Sequence, residues 1–285
     1  MRGRDVIAAL ERRYDPRWAE DWDAVGLVCG DPDDDVRRVH FAVDPVESVV
    51  DEAIELGADL VVTHHPLFLG GTESVAATTA KGRVVHRLIR HGIGLYVAHT
   101  NADVARPGVS DALASVLGVH DTDPLAPLAA DRPSESASDR DRGLGLGRVG
   151  RLATDTTLRG FLDTVAAALP ATAWGVRAAG DPQRPVTRVA VCGGSGGELA
   201  EAAASAGADV LVTSDLKHHS TSEALADYDI GLIDAAHWAT EQPWLAMAAD
   251  LLVGDLRETG ITVETAISTR ITDPWTMHAP AVRTQ

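Results

Sequence analysis

The stretch EAIELGADLVVTHH, residues 52–65, holds the fold in miniature. A short helical run ends at Gly57, and the four residues Asp59–Val62 read as the start of a buried β-strand, with Thr63 leading out of it. His64 and His65 follow directly, and Pro66 stops the ladder while holding the residue before it extended. The same wording returns as AAASAGADVLVTSD at residues 202–215: Gly57-Ala58-Asp59 matches Gly207-Ala208-Asp209, and Val62-Thr63 matches Val212-Thr213. Further on, IGLYVAHTNAD from Ile93 is similar to IGLIDAAHWATE from Ile230. Each half thus runs helix, GAD, strand, polar turn, helix, IGL strand, histidine, which implies two related α/β halves.

Apolar periodicity predicts helices at about 5–14, 46–56, 82–91, 109–117, 157–168, 197–206 and 243–253. Between them lie the β-like runs VHFAV, DLVVT, GLYVA, RVGRL, RVAVC, VLVTS and IGLID. Strands alternating with helices of this length build βαβ units and largely parallel sheets. Residues 129–143, AADRPSESASDRDRG, are polar and nearly free of large apolar groups, as in a linker or exposed insertion. The expected organisation is therefore a first α/β half over 1–128, a linker or insertion over 129–147, and a second α/β half over 148–285.

Composition narrows the function. A chain of 285 residues that is 45% hydrophobic supports a sizeable core, and with aromatics at 4% aliphatic side chains must fill it. No run of about 18 apolar residues exists for a membrane span. The N-terminal MRGRDVIAAL lacks the apolar core of a signal peptide. Two cysteines, Cys29 and Cys192, do not make a disulfide framework, so a reducing cytoplasm is the expected setting. A net charge of −17 opposes a role in gripping nucleic acid. Lys81 and Lys217 are the two lysines in the chain, and Lys217 stands inside the TSDLKHH segment.

Functional groups in open parallel sheets gather beyond the carboxyl ends of the strands. His64 and His65 lie there, as does His99 after GLYVA, with Asp103 close behind; His237 follows GLIDAA and Glu241 comes four residues later. Imidazole and carboxylate groups without a nearby thiolate form a ligand set for zinc, manganese or iron, which places a metal site at the strand ends in the cleft. Neighbouring strand residues point to opposite faces, so His64 and His65 reach one site only where the strand has ended. A continuous helix would put His237 and Glu241 on one face. Pro243, however, reads as a first helical residue, which sets ATEQ at the helix entrance. The glycine run GGSGG at 193–197 suits either an anion held on backbone amides or a tight strand-to-helix turn.

The ordered motifs THHP, AHTNAD, GRVGRL, VCGGSG, TSDLKHH and IDAAHWATE resemble the NIF-three-like family of dinuclear metal-centre proteins, members of which are labelled homologues of the type-2 GTP cyclohydrolase I. The resemblance runs from DAVGL at 23–27 to the helix after Glu241. It implies that His64, His65, Asp103, His237 and Glu241 ligate two divalent ions per chain. By the same resemblance Glu241 would be the bridging carboxylate, with His64 and His237 favouring one ion and His65 and Asp103 the other. It also implies a homohexameric ring. Four positions depart from the family pattern: Ala24 stands where asparagine is usual, Ala102 where leucine is commoner, His218 where tyrosine is, and Ser214 where glycine is. None of the five ligands is among them.

The function that follows is a metal-dependent hydrolase acting on a small-molecule substrate, by resemblance the opening of the GTP imidazole ring, with a phosphoesterase or amidohydrolase using the same ligands. Asp215, Lys217 and His219 are the candidate substrate-binding residues, Lys217 or His219 to neutralise a phosphate and His219 to shuttle a proton. A non-enzymatic protein that stores or delivers metal, or a regulatory scaffold, fits the same ligands.

Overall fold

Two mixed sheets organise the chain in the computed structural model, which describes residues 1–128 and 143–279. The first sheet has five strands in the order β1 (Gly26–Cys29), β4 (Gly94–Val97), β3 (Leu60–Thr63), β2 (Arg38–Ala42) and β11 (Glu264–Ile267). β4, β3, β2 and β11 run parallel, and β1 is antiparallel to β4 with a bulge between Leu27 and Cys29. The second sheet has six strands in the order β5 (Val119–Pro127), β6 (Gly145–Thr157), β8 (Pro185–Ser195), β9 (Val210–Ser214), β10 (Gly231–Ala235) and β7 (Val176–Ala179). Its centre, β8, β9 and β10, is parallel, while β6 and β7 pair antiparallel to β8 and β10.

The helices are α1 (Gly3–Arg13), α2 (Glu47–Leu56), α3 (Ala80–Arg90), α4 (Thr100–Val104), α5 (Val109–Val116), α6 (Leu158–Ala168), α7 (Ala200–Ser205), α8 (His218–Asp227) and α9 (His237–Glu258). The chain forms two compact units. One is Met1–Ala112 with Pro127–Leu146 and Glu241–Thr272, and the other is Leu113–Ala126 with Gly147–Thr240 and Asp273–Gln285. These units differ in composition from the halves expected from the repeat: Glu241–Thr272, with β11, belongs to the first unit, and Leu113–Ala126 to the second.

Each central strand is a continuous apolar run because both faces are covered. Val39, Phe41, Val61, Val62, Tyr96 and Val97 are buried in the first unit, as are Val189, Val191, Val210, Val212, Leu232 and Ile233 in the second. Burying one such aliphatic side chain contributes about 1.5–3 kcal/mol. On the first sheet, α2 presents Val49, Val50 and Ala53 to Val84, Val85 and Leu88 of α3 in one apolar cluster.

The repeated GAD has one structural job in both units. Gly57 ends α2 in the left-handed region at φ 62°, which a residue with a Cβ rarely adopts, and Gly207 does the same after α7 at φ 71°. The Asp59 carboxylate then accepts from the backbone N–H groups of Arg37 and Arg38 at 2.7 and 2.9 Å. Asp209 accepts from Thr187 and Arg188, both at 2.8 Å. The backbone of each aspartate spans the strand starts: Asp59 N–H donates to Arg38 and its carbonyl accepts from Gly94, as Asp209 does with Arg188 and Gly231.

Several expectations change. The sheets are mixed rather than simply parallel, and β1, β5, β7 and β11 are strands that the apolar runs did not reveal. Pro243 lies inside α9 rather than at its first turn, so the helix is already continuous from His237 through Glu241. One i→i−4 bond is lost at the proline, but Trp244, Leu245, Ala248 and Ala249 are buried beyond it and hold the helix in place. The glycine run at 193–197 ends β8 and enters a single 3₁₀ turn over Gly197–Leu199. A Cβ on Gly196 would stand 2.6 Å from that of Cys192, so close packing of the turn accounts for this glycine. Of the polar stretch 129–143, all but the last residue lies outside the described residues.

Candidate metal centre

The first unit collects three histidines and two carboxylates past the carboxyl ends of β3 and β4. After Thr63 the ladder runs on for two residues, His64 N–H donating to Ala42 at 3.2 Å and His65 N–H to Val43 at 2.8 Å. The Thr63 hydroxyl donates to the His65 carbonyl at 2.9 Å and folds the chain back on itself. The two rings therefore come together, 5.2 Å between centroids, despite being neighbours on an extended chain.

The AHTNAD segment follows β4, and its residues divide the work. His99 and Asp103 point chemistry inward. Asn101 is a clamp, accepting from His99 N–H at 2.9 Å and donating to the Tyr14 carbonyl at 2.6 Å. Thr100 ties the turn to the DAVGL segment: its N–H donates to Asp23 at 3.0 Å, and its hydroxyl oxygen accepts from Glu20 N–H at 2.9 Å. Glu241 arrives from α9, 2% exposed.

Glu241 spans the histidine pair. Its Oε1 lies 3.3 Å from His64 Nε2, and its Oε2 lies 3.1 Å from His65 Nε2. Asp103 Oδ1 stands 3.7 Å from the same nitrogen of His64. The resemblance set Asp103 with His65, whereas the contact found is with His64. Trp244, fully buried, backs the site with its ring 5.4 Å from that of His64, and its Nε1 donates to the Tyr14 hydroxyl at 3.1 Å.

Each of these histidines is held through Nδ1. His64 Nδ1 donates to the Ala98 carbonyl at 3.0 Å, His65 Nδ1 meets Asp44 Oδ1 at 2.7 Å, and His99 Nδ1 meets Asp23 Oδ1 at 2.9 Å. In the second unit His237 Nδ1 meets Asp215 Oδ2 at 2.7 Å. A carbonyl or carboxylate on one ring nitrogen is how metal-ligating imidazoles are oriented. Asp23 and Asp44 are thus site residues that the sequence reading passed over; each precedes a hydrophobic segment as an ordinary turn aspartate would.

Electrostatics favour a cation. Burial pulls both paired imidazoles toward neutrality, but the surrounding carboxylates outweigh it, raising His64 above its ordinary pKa and pushing His65 up to about 11. Burial raises the Asp103 carboxyl above its usual range. For Asp23 burial acts upward too, yet the hydrogen bonds from His99 and Thr100 win and hold it well below the usual carboxylate range. Among the described residues, His64 Nε2 and Asp103 Oδ1 are buried atoms whose only polar contacts are the ion pairs of His64 with Asp103 and Glu241, neither of which has hydrogen-bond geometry. Stranded polar atoms of this kind, on imidazole and carboxylate, fit a divalent ion that would satisfy them.

The remaining expected residues lie in the second unit or at its edge. His237 opens α9 one turn before Glu241, on the same helical face. Asp215, in the left-handed region at φ 57°, is exposed and serves as the hydrogen-bond partner of His237. Lys217 and His219 are exposed at the start of α8. Their neighbour His218 instead lines a cavity of about 350 Å³ with Arg177, Leu216, Thr221, Ser222 and Asp234. Arg177 donates to the buried Asp234 at 2.7 Å and lies 4.8 Å from the centroid of the Trp174 ring. Ser214 bonds the Thr240 hydroxyl at 3.0 Å, and Gly194 N–H donates to that hydroxyl at 2.9 Å, so Ser214 has a packing role.

Comparison with known proteins gives a consistent result. The pattern of Duf34/NIF3 (NGG1p interacting factor 3) matches residues 1–274. A GTP cyclohydrolase 1 type 2 homolog of Streptomyces coelicolor is 50% identical over 280 residues, covering 98% of this chain and 95% of that protein. A namesake from Mycobacterium tuberculosis is 37% identical, covering 99% and 98%. Among solved structures, a Bacillus cereus protein related to NIF3 superposes with TM-score 0.88 at 25% identity, covering 98% of this chain and 99% of that one. A Staphylococcus aureus hypothetical protein gives 0.87 at 30% identity with the same coverage.

Proposed function

Because the chain belongs to the Duf34/NIF3 family, we propose that it is a dinuclear divalent-metal protein that acts as a metal-dependent hydrolase on a small molecule. The observation that carries this reading is Glu241, whose two carboxylate oxygens face the Nε2 atoms of His64 and His65 separately, as a bridging ligand must. In this reading the metal ligands are His64, His65, Asp103, His237 and Glu241. Nitrogen and oxygen donors of this kind take zinc, manganese or iron.

A divalent pair supplies Lewis acidity and a water of lowered pKa. The protein's part is to hold the donors. Asp44, Asp215 and the Ala98 carbonyl fix the tautomers of His65, His237 and His64, and Trp244 excludes water from behind His64. Asp215, Lys217 and His219 are the proposed substrate-binding residues, and the exposure of Lys217 and His219 at the start of α8 supports contact with an anionic group. The name borne by the Streptomyces and Mycobacterium relatives makes GTP the first substrate to try. The protein is proposed to work as a homohexamer in the cytoplasm, and neither Cys29 nor Cys192 is in a disulfide. Among the described residues no helix is long and apolar enough to cross a membrane.

The test is metal content of the purified chain by plasma mass spectrometry, beside His64→Ala and Glu241→Ala. About two ions per chain, lost in both variants, is the expected result, followed by turnover of GTP or a phosphoester. A folded protein that takes no metal after reconstitution sinks the reading. Metal without turnover of any such substrate leaves a metal-handling protein instead. Light scattering checks the assembly: a native mass near six times 30.0 kDa is expected, and a monodisperse monomer removes the ring.

A further inference from the structure

We propose that His99 is a sixth metal-binding side chain of the centre, presented by Asp23; this rests on the metal reading above and extends its ligand set. Ligand atoms of His64, His65 and His99 all lie within 4.8 Å of one another. The His99 ring stands edge-on to both others, 5.2 Å from His64 and 5.6 Å from His65 between centroids. Its Nδ1 is committed to Asp23, so Nε2 is the nitrogen left for a metal, and that atom makes no hydrogen bond among the described residues.

A purely structural histidine would explain less. Tethering of the turn before α4 is already accomplished without the imidazole: Asp23 accepts from the Thr100 N–H and hydroxyl and from Ala24 N–H, and Asn101 secures the His99 backbone. What the Asp23–His99 bond adds is ring orientation. Asp23 has a side chain with no exposed surface, and a carboxylate so fixed holds the imidazole in one tautomer. It is the same arrangement that Asp44 makes with His65, and the rings of His65 and His99 each lie 5.2 Å from that of His64 between centroids. Trp22 packs edge-on against His99 with ring centroids 5.9 Å apart and limits how far the imidazole can swing away.

The experiment is cobalt(II) titration of the metal-free full-length protein, followed by visible absorption and by competition with a chelator. The variants are His99→Ala and Asp23→Asn, with folding checked by circular dichroism. Loss of a ligand should weaken cobalt at least about 10–100-fold and alter the intensity of the d–d bands, and loss of its orienting carboxylate should weaken cobalt in the same direction. Should His99→Ala not fold, His99→Asn, which keeps a polar group in the turn, takes its place in the same titration. Wild-type protein that binds cobalt, with a folded His99 variant of identical affinity and spectrum, overturns the assignment while leaving the five-ligand centre standing. Wild-type protein that binds no cobalt or other divalent ion overturns the centre itself.

Discussion

Asp44 Oδ1 lies 2.7 Å from His65 Nδ1, and that bond decides which nitrogen of the ring faces Glu241. The Thr272 hydroxyl donates to the other oxygen of Asp44, so the carboxylate is itself held. Replacing Asp44 with alanine frees the His65 ring and its tautomer. Metal affinity should fall by about 10–100-fold, with a smaller fall for Asp44→Asn, which retains an acceptor. Chelator competition on folded protein measures both, and equal affinity in wild type and Asp44→Ala would remove the orienting role.

The protonation of His65 links metal and pH. In the metal-free protein its folded pKa, about 11, stands above the ordinary value of about 6.5 for an unfolded chain. The folded state therefore holds the proton more tightly, and this contribution to stability is complete below the unfolded value and lost as pH rises toward the folded one. The melting temperature of metal-free protein should decline over that window, and His65→Gln should flatten the decline. Metal loading near neutral pH must expel the proton, so calorimetry in two buffers of different ionisation enthalpy should report proton release. Equal apparent enthalpies in the two buffers would refute the linkage.

How much of this was legible in the sequence depended on whether a residue was buried on two sides or one. All seven apolar runs read as strands are strands, because two-sided burial leaves no polar alternation to confuse them. The four strands missed, β1, β11, β5 and β7, are the edges of the two sheets. An edge strand is short or half-exposed: β5 carries the pattern of VHDTDPLAP with only Val119 and Leu125 buried, and β7 is VRAA with no buried residue. The metal-type donors stood out because imidazoles and carboxylates fall together just past strand ends, where functional groups of α/β sheets gather. Asp23 and Asp44 did not, since what distinguishes them is a partner at 76 or 21 residues' distance, which one sequence does not display. Pro243 misled for a physical reason too, since proline inside a helix is normally costly, and only the buried tryptophan after it shows why the helix persists.

Trp244 is expected to contribute both packing and a hydrogen bond to the first unit. Its Nε1 donates to the hydroxyl of Tyr14, a side chain 1% exposed, and burial raises that phenol to a pKa well above the ordinary one. Trp244→Phe keeps much of the volume but strands the Tyr14 hydroxyl, at a cost of about 1–3 kcal/mol. Tyr14→Phe in the same background removes the stranded group and should recover part of the loss. Chemical denaturation of wild type, the two single variants Trp244→Phe and Tyr14→Phe, and the double variant completes the cycle, and a Trp244→Phe single variant as stable as wild type would show that the hydroxyl finds another partner.

The repeated aspartates give a paired prediction that separates structure from chemistry. Asp59 and Asp209 each accept two backbone N–H groups at the head of a neighbouring strand, and neither touches the histidines or Glu241. Asp59→Ala and Asp209→Ala should therefore each destabilise by about 1–3 kcal/mol through unsatisfied donors, with metal content of the folded fraction unchanged. Asparagine at either position retains one acceptor oxygen and should fall between wild type and alanine. The sharper expectation concerns the glycine before each aspartate. Gly57→Ala and Gly207→Ala place a Cβ in the left-handed region with almost nothing nearby to clash, Arg38 Nη1 at 3.7 Å from the first and no atom within 4 Å of the second. Any loss of stability there is conformational rather than steric, about 1 kcal/mol, and similar in the two units. A large asymmetry between the two glycine variants, measured by thermal melts, would mean that the two GAD turns are alike in geometry but not in energy.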